Sequence, residues 1–161
     1  MIRAVSTAVP TAKPLAYHVI LSAGLLCGVL DLTAAFVSSG LRGASPMRVL
    51  QFIGAGILGT ASFDGGLASA SLGLLSHFTI ACSASAVFYT ASRKLGFLTE
   101  QAVISGMVYG VLIYFFMNLA VVPLSAAPKL RFSTVSLITG LGIHMICVGL
   151  PISLTIRWYS K

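Results

Sequence analysis

Between Leu67 and Ser92 the chain carries no Lys, Arg, Asp or Glu. An uncharged run of that length constrains the fold more than any other feature. A helix needs about 20 mostly apolar residues to cross a hydrocarbon core of ~30 Å. Three further stretches meet the same condition, so spans are expected at about 16–38, 67–91, 101–122 and 135–158. Inside lipid every backbone N–H and C=O must be paired within the protein, which leaves helices or closed barrels. Strict apolar–polar alternation is absent, which sets a small barrel aside. Composition points the same way. Only 8% of residues are charged and mean hydropathy is +1.00, whereas a soluble domain carries roughly a quarter charged residues. The expected fold class is all-α: a polytopic membrane protein forming one transmembrane bundle over 16–161, preceded by a loose, proline-broken arm at 1–15.

One segment is shorter. Ser45 is a candidate N-cap and Pro46 suits the first helical position, so a helix is expected over 46–61. At 1.5 Å per residue it reaches only about 24 Å. It is therefore read as interfacial or re-entrant, with Phe63 to Gly66 turning the chain into the next span. Four spans then put Arg3, Lys13, Arg93, Lys94, Arg157 and Lys161 on one side and Arg42, Arg48, Lys129 and Arg131 on the other. Six basic residues against four is a slight vote for both termini in the cytoplasm. The net charge of +7 is read as basic loops held at anionic headgroups. No dense basic run interleaved with aromatics suggests a nucleic-acid partner.

Four polar side chains fall inside the spans: Asp31, His77, Asn118 and His144. Groups at this depth usually face protein or a water-filled cavity. In a four-span topology all four are offset towards the side of Arg42 and Lys129. Helical phase adds a second constraint. Gly24 and Gly28 precede Asp31, Gly73 precedes His77, and Gly140 precedes His144, each along one stripe. Small residues let helix backbones approach in lipid, so these stripes are expected to pack inward. Gly106 and Gly110 form the matching pair of the third span, with Asn118 well round the helix from them. His77 is expected to reach Asp31 or His144 across a helix interface, as a register-fixing clasp in an intramembrane polar cluster.

The same residues admit sharper chemistry. An imidazole beside a carboxylate can titrate near neutral pH, which would suit a proton- or ion-linked transporter or channel protomer using Asp31 and His77. Histidines on two helices, His77 and His144, are also the minimal requirement for a bis-histidine haem. No CxxC, HxxxH or ExxH spacing supports a metal site, and Cys27, Cys82 and Cys147 read as small buried apolar residues. The acids are Asp31, Asp64 and Glu100, and no GxSxG, phosphate loop or dinucleotide fingerprint is present. The expectation is therefore not an enzyme, with no cofactor. It is a structural or accessory membrane subunit of the cell inner membrane. Its partners are the lipid bilayer and either copies of itself or other membrane subunits.

The stretches "GLLSHFTIA" and "VYGVLIYFFMNLAVVPLS" resemble segments of small bacterial helical inner-membrane proteins of uncharacterised function, over roughly 24–128. The resemblance implies a helical inner-membrane protein and draws interest to His77 and Asn118. It implies no activity, substrate or cofactor.

Overall fold

The computed structural model describes residues 15–129 and 133–160. The arm at 1–14, and Arg131 and Lys161 among the charges counted above, lie outside them. Every regular element among the described residues is helical. Four helices are long and apolar enough to cross a membrane: Ala16–Gly40, Gly66–Ser92, Ala102–Leu124 and Thr134–Tyr159. They contain 25, 27, 23 and 26 residues, or roughly 35–40 Å of helix at 1.5 Å per residue. That exceeds a ~30 Å core and leaves room for tilt.

Consecutive spans run antiparallel. Gly24 of the first lies against Cys82 of the second, and Gly28 against Phe78 and Ala81. Gly106 of the third faces Gly149 and Ser153 of the fourth, while Gly140 faces Tyr114. The core joins Val19, Ala23 and Cys27 of the first span to Ala81, Ala84 and Phe88 of the second and Val148, Ile152 and Ile156 of the fourth. With no water to expel, helices in lipid associate through close packing and interhelical hydrogen bonds. Alanine, glycine and serine therefore supply many of the buried positions.

The short helix is Pro46–Leu58, continued by a tight 3₁₀ turn Gly59–Phe63. Ser45 caps it by accepting from Arg48 N–H at 3.2 Å. The chain then doubles back. Gly59 sits at φ 60°, a left-handed conformation open to glycine, and Phe63 returns beside Arg48. The Arg48 guanidinium lies 4.2 Å above the Phe63 ring and donates to Phe63 O at 3.4 Å. A buried polar clasp closes the hairpin: Ser69 Oγ donates to Ser62 O at 2.6 Å, Ser62 Oγ to Gln51 O at 2.7 Å, and Gln51 Nε2 to Gly66 O at 3.3 Å. The hairpin packs on the second span, where a Cβ added to Gly54 would lie 2.6 Å from Ser69 O. At its far end Gly56 O accepts from Ala126 N–H, 3.0 Å, in the segment that follows the third span.

Two spans contain a widened π turn, at Met117–Val121 and His144–Gly149. Each ends two residues before a proline, Pro123 and Pro151. Proline has no N–H to donate, and its ring clashes with the carbonyl four residues back. A wide turn with one extra residue relieves that clash inside an otherwise continuous helix.

Among the described residues one buried hydroxyl has no partner, Ser85 Oγ on the second span. An unsatisfied buried donor contributes nothing and carries a desolvation cost. Ser85→Ala is expected to leave stability unchanged or raise it by up to about 1 kcal/mol. Thermal unfolding in detergent reads this directly, and a clearly lower midpoint would show that the hydroxyl has a role the contacts do not explain.

Candidate functional site

His77 is half-buried, and its Nε2–H donates to Gly28 O of the first span at 2.9 Å. A carbonyl can only accept, so the bond requires the proton on Nε2 and leaves Nδ1 as an acceptor. The contact exists because Gly28 has no side chain. A Cβ there would come within 2.7 Å of the Phe78 ring, and Phe78 itself meets His77 edge-on with centroids 5.4 Å apart. The interhelical partner of His77 is thus a backbone carbonyl, not the side chain of Asp31 or His144.

His144 and Asn118 gather elsewhere, around Tyr114. His144 Nδ1–H donates to Gly140 O at 2.9 Å within its own helix. Its ring meets the buried Tyr114 ring edge-on, centroids 5.3 Å apart. Asn118 Nδ2 donates to Tyr114 O at 2.8 Å. Both polar residues lie in the widened turns, and each hydrogen-bonds the carbonyl one turn back. His144 is half-buried, whereas Asn118 is exposed.

Asp31 is half-buried and makes no hydrogen bond among the described residues. It continues the row Val19, Ala23, Cys27, the side of the first span that shares the core with Val148, Ile152 and Ile156. One turn beyond Cys27 is Asp31, and one turn back from Val148 is His144. The antiparallel register therefore sets these two at about the same level. Asp31 is also within electrostatic reach of Cys147 on the fourth span. The first span packs along the fourth from His144 towards its C-terminal end. The preceding stretch Thr134–Ile143 has no buried residue.

The four polar residues are thus divided between two places. His77 locks the first and second spans, while Asn118 and His144 flank Tyr114 and Asp31 stands level with His144. None is buried, and no hydrogen bond joins any two of them. Among the described residues no three of His, Cys, Asp and Glu converge on a point that could hold a metal. The buried polar cluster of this fold is the Gln51–Ser62–Ser69 clasp, which sequence reasoning did not single out. Its signal was faint, because serine is equally at home in a small-residue packing stripe.

The second and third spans stand apart, bridged where Tyr109 Oη donates to Ala84 O at 2.7 Å and packs edge-on against Phe88. Three apolar grooves of about 580, 510 and 560 Å³ follow that seam. They meet at Val87, Tyr109 and Leu112, and again at Ile80, Met117 and Val121. The third span is also the least covered. Only 11% of its most apolar stretch is buried, against 33%, 28% and 22% for the first, second and fourth.

No known protein family, curated protein or solved structure matches this chain. The resemblance of 24–128 to small inner-membrane proteins therefore carries no part of the functional reading.

Proposed function

We propose that the chain is a structural or accessory subunit of a membrane assembly, acting by packing against other transmembrane helices. The observation that carries this reading is the third span, whose apolar stretch is left uncovered to a degree its three neighbours are not. The polar side chains support it as well. His77 closes onto a backbone carbonyl of another span, which is how polar groups fix helix geometry in lipid, while Asn118 and His144 each bond a carbonyl of their own helix. Neither catalysis nor a nucleic-acid partner enters this reading. The slight excess of basic residues on the side of Arg93, Lys94 and Arg157 favours an inner-membrane orientation with both termini in the cytoplasm.

The rival with a specific observation in its favour is proton-linked permeation. Asp31 has no hydrogen-bond partner among the described residues, so the proton site would be built on Asp31 with His77 or His144. A bis-histidine haem is less favoured, because His77 Nε2 is engaged by Gly28 O and ligation through that atom requires breaking the bond. Purification in mild detergent with a mass measurement and a visible spectrum separates the three. A stoichiometric second membrane protein, or a defined homo-oligomer, is the expected result. A lone monomer whose liposomes leak protons, and whose leak is abolished by Asp31→Asn, would replace the subunit reading with the permeation one. A Soret band would replace it with haem.

A further inference from the structure

We infer that the exposed face of the third span around Asn118 is where a second copy of this chain docks. This rests on the subunit reading and names its partner and surface.

Asn118 sits within the third span, in the widened turn Met117–Val121 and six residues before its end at Leu124. It is exposed, and so are Phe115 and Leu119 beside it, at 41% and 74%. One amide N–H is held by Tyr114 O. The amide oxygen and the second N–H have no partner among the described residues. In water that would be ordinary. Within hydrocarbon there is no solvent to pair them, and a partner must come from protein. The side of the helix that carries Gly106, Gly110 and Tyr114 is taken by the fourth span. Asn118, one turn on from Tyr114, lies past the last of these contacts, level with a stretch of the fourth span that has no buried residue, and is exposed.

The chemistry of the amide selects the occupant. It is neutral and carries both a donor and an acceptor, so it is complementary to itself. Two copies inserted the same way round in one membrane are related by a twofold axis along its normal. A residue near that axis meets its own copy at equal depth. The unpaired N–H of each Asn118 then donates to the amide oxygen of the other. Phe115 and Leu119 close around the pair and shield it from lipid. The other N–H of each Asn118 stays anchored to Tyr114 O of its own helix.

The test compares wild type, Asn118→Leu and Asn118→Gln by sedimentation equilibrium in neutral detergent, with helix content read by circular dichroism. A dimer is expected for the wild type. Asn118→Leu should weaken it about 3- to 30-fold, the range of an interhelical polar contact in lipid. Asn118→Gln, which keeps the amide, should stay within about 3-fold of wild type. Equal dimerisation of wild type and Asn118→Leu overturns the inference. Should Asn118→Leu lose helix content, crosslinking decides. In protein with Cys27, Cys82 and Cys147 replaced by alanine, oxidation should link Leu119→Cys copies and not Leu67→Cys copies. Linking at Leu67→Cys, or at neither position, overturns it. A monomer that co-purifies with a different membrane protein in fixed ratio removes the second copy and leaves the subunit reading standing. A monomer with no partner removes both.

Discussion

Gly149→Leu is expected to prevent the third and fourth spans from associating, with a loss of at least about 3 kcal/mol. The reason is backbone-to-backbone contact. A Cβ at Gly149 would run into Gly106 O and lie 2.6 Å from Gly110 N. From the opposite helix, a Cβ on Gly110 would lie 2.7 Å from Met145 Cα, and one on Gly106 would lie 2.9 Å from Gly149 O. Flexible side-chain ends can move aside, but here the neighbours are main chain on both sides. The only relief is to part the helices. Tyr114 would then leave Gly140, and the His144 ring would lose its aromatic neighbour. Gly142, on the same span, is the control, since nothing lies within 4 Å of a Cβ placed there. Gly142→Leu should change stability by less than about 1 kcal/mol. Unfolding of both variants in detergent, followed by circular dichroism, reads the contrast. Equal behaviour of Gly149→Leu and Gly142→Leu would mean that the two spans do not pack as described.

Gly149 also marks the limit of what the sequence discloses. Helical periodicity applied to the fourth span gives the row Gly140, His144, Cys147, Pro151. The row that faces the third span is Gly140, His144, Gly149, Ser153, with one step of five. The widened turn His144–Gly149 adds a residue and rotates everything after it. Nothing in a 3.6-residue period announces such a turn, although a proline inside a long apolar run is a reason to suspect one. Span number was legible for the opposite reason. Length and apolarity are summed over many residues, so a local irregularity does not disturb them. The short helix was legible because Ser45 and Pro46 form a start signal that needs no tertiary context. The partner of His77 was not. Its bond ends on a main-chain carbonyl exposed by Gly28, and every residue has a carbonyl. Sequence can say that His77 needs a partner, but not which of many identical acceptors the packing brings to it.

Gly73→Leu is expected to lift the short helix off the second span while leaving the four spans inserted. A Cβ at Gly73 would collide with Leu50 O and lie 2.8 Å from Leu50 C and 3.0 Å from Gly54 N. The short helix is 13 residues long, too short to hold itself across a membrane, and its glycines lower its intrinsic helix preference. It depends on the second span to stay folded back. With the helix displaced, Gln51 Nε2 loses Gly66 O and Ser69 Oγ loses Ser62 O, keeping only Gly66 O of its own helix, so a buried polar clasp opens into an apolar setting. Overpacking of about 1–3 kcal/mol should make amide exchange over Val49–Ile57 faster by about 5- to 150-fold. Exchange in the fourth span, which packs on the first and third spans, should be unchanged. The folded-back geometry has its own reading in the unaltered hairpin. Cysteines placed at Ser45 and Gly65, in protein lacking Cys27, Cys82 and Cys147, should both react with an impermeant maleimide from one side of the membrane. Reaction from opposite sides would make Pro46–Leu58 a crossing helix and reverse the second span. His77 and Asp31 would then lie in opposite halves of the bilayer, and the antiparallel packing that sets Gly24 against Cys82 and Gly28 against Phe78 could not form.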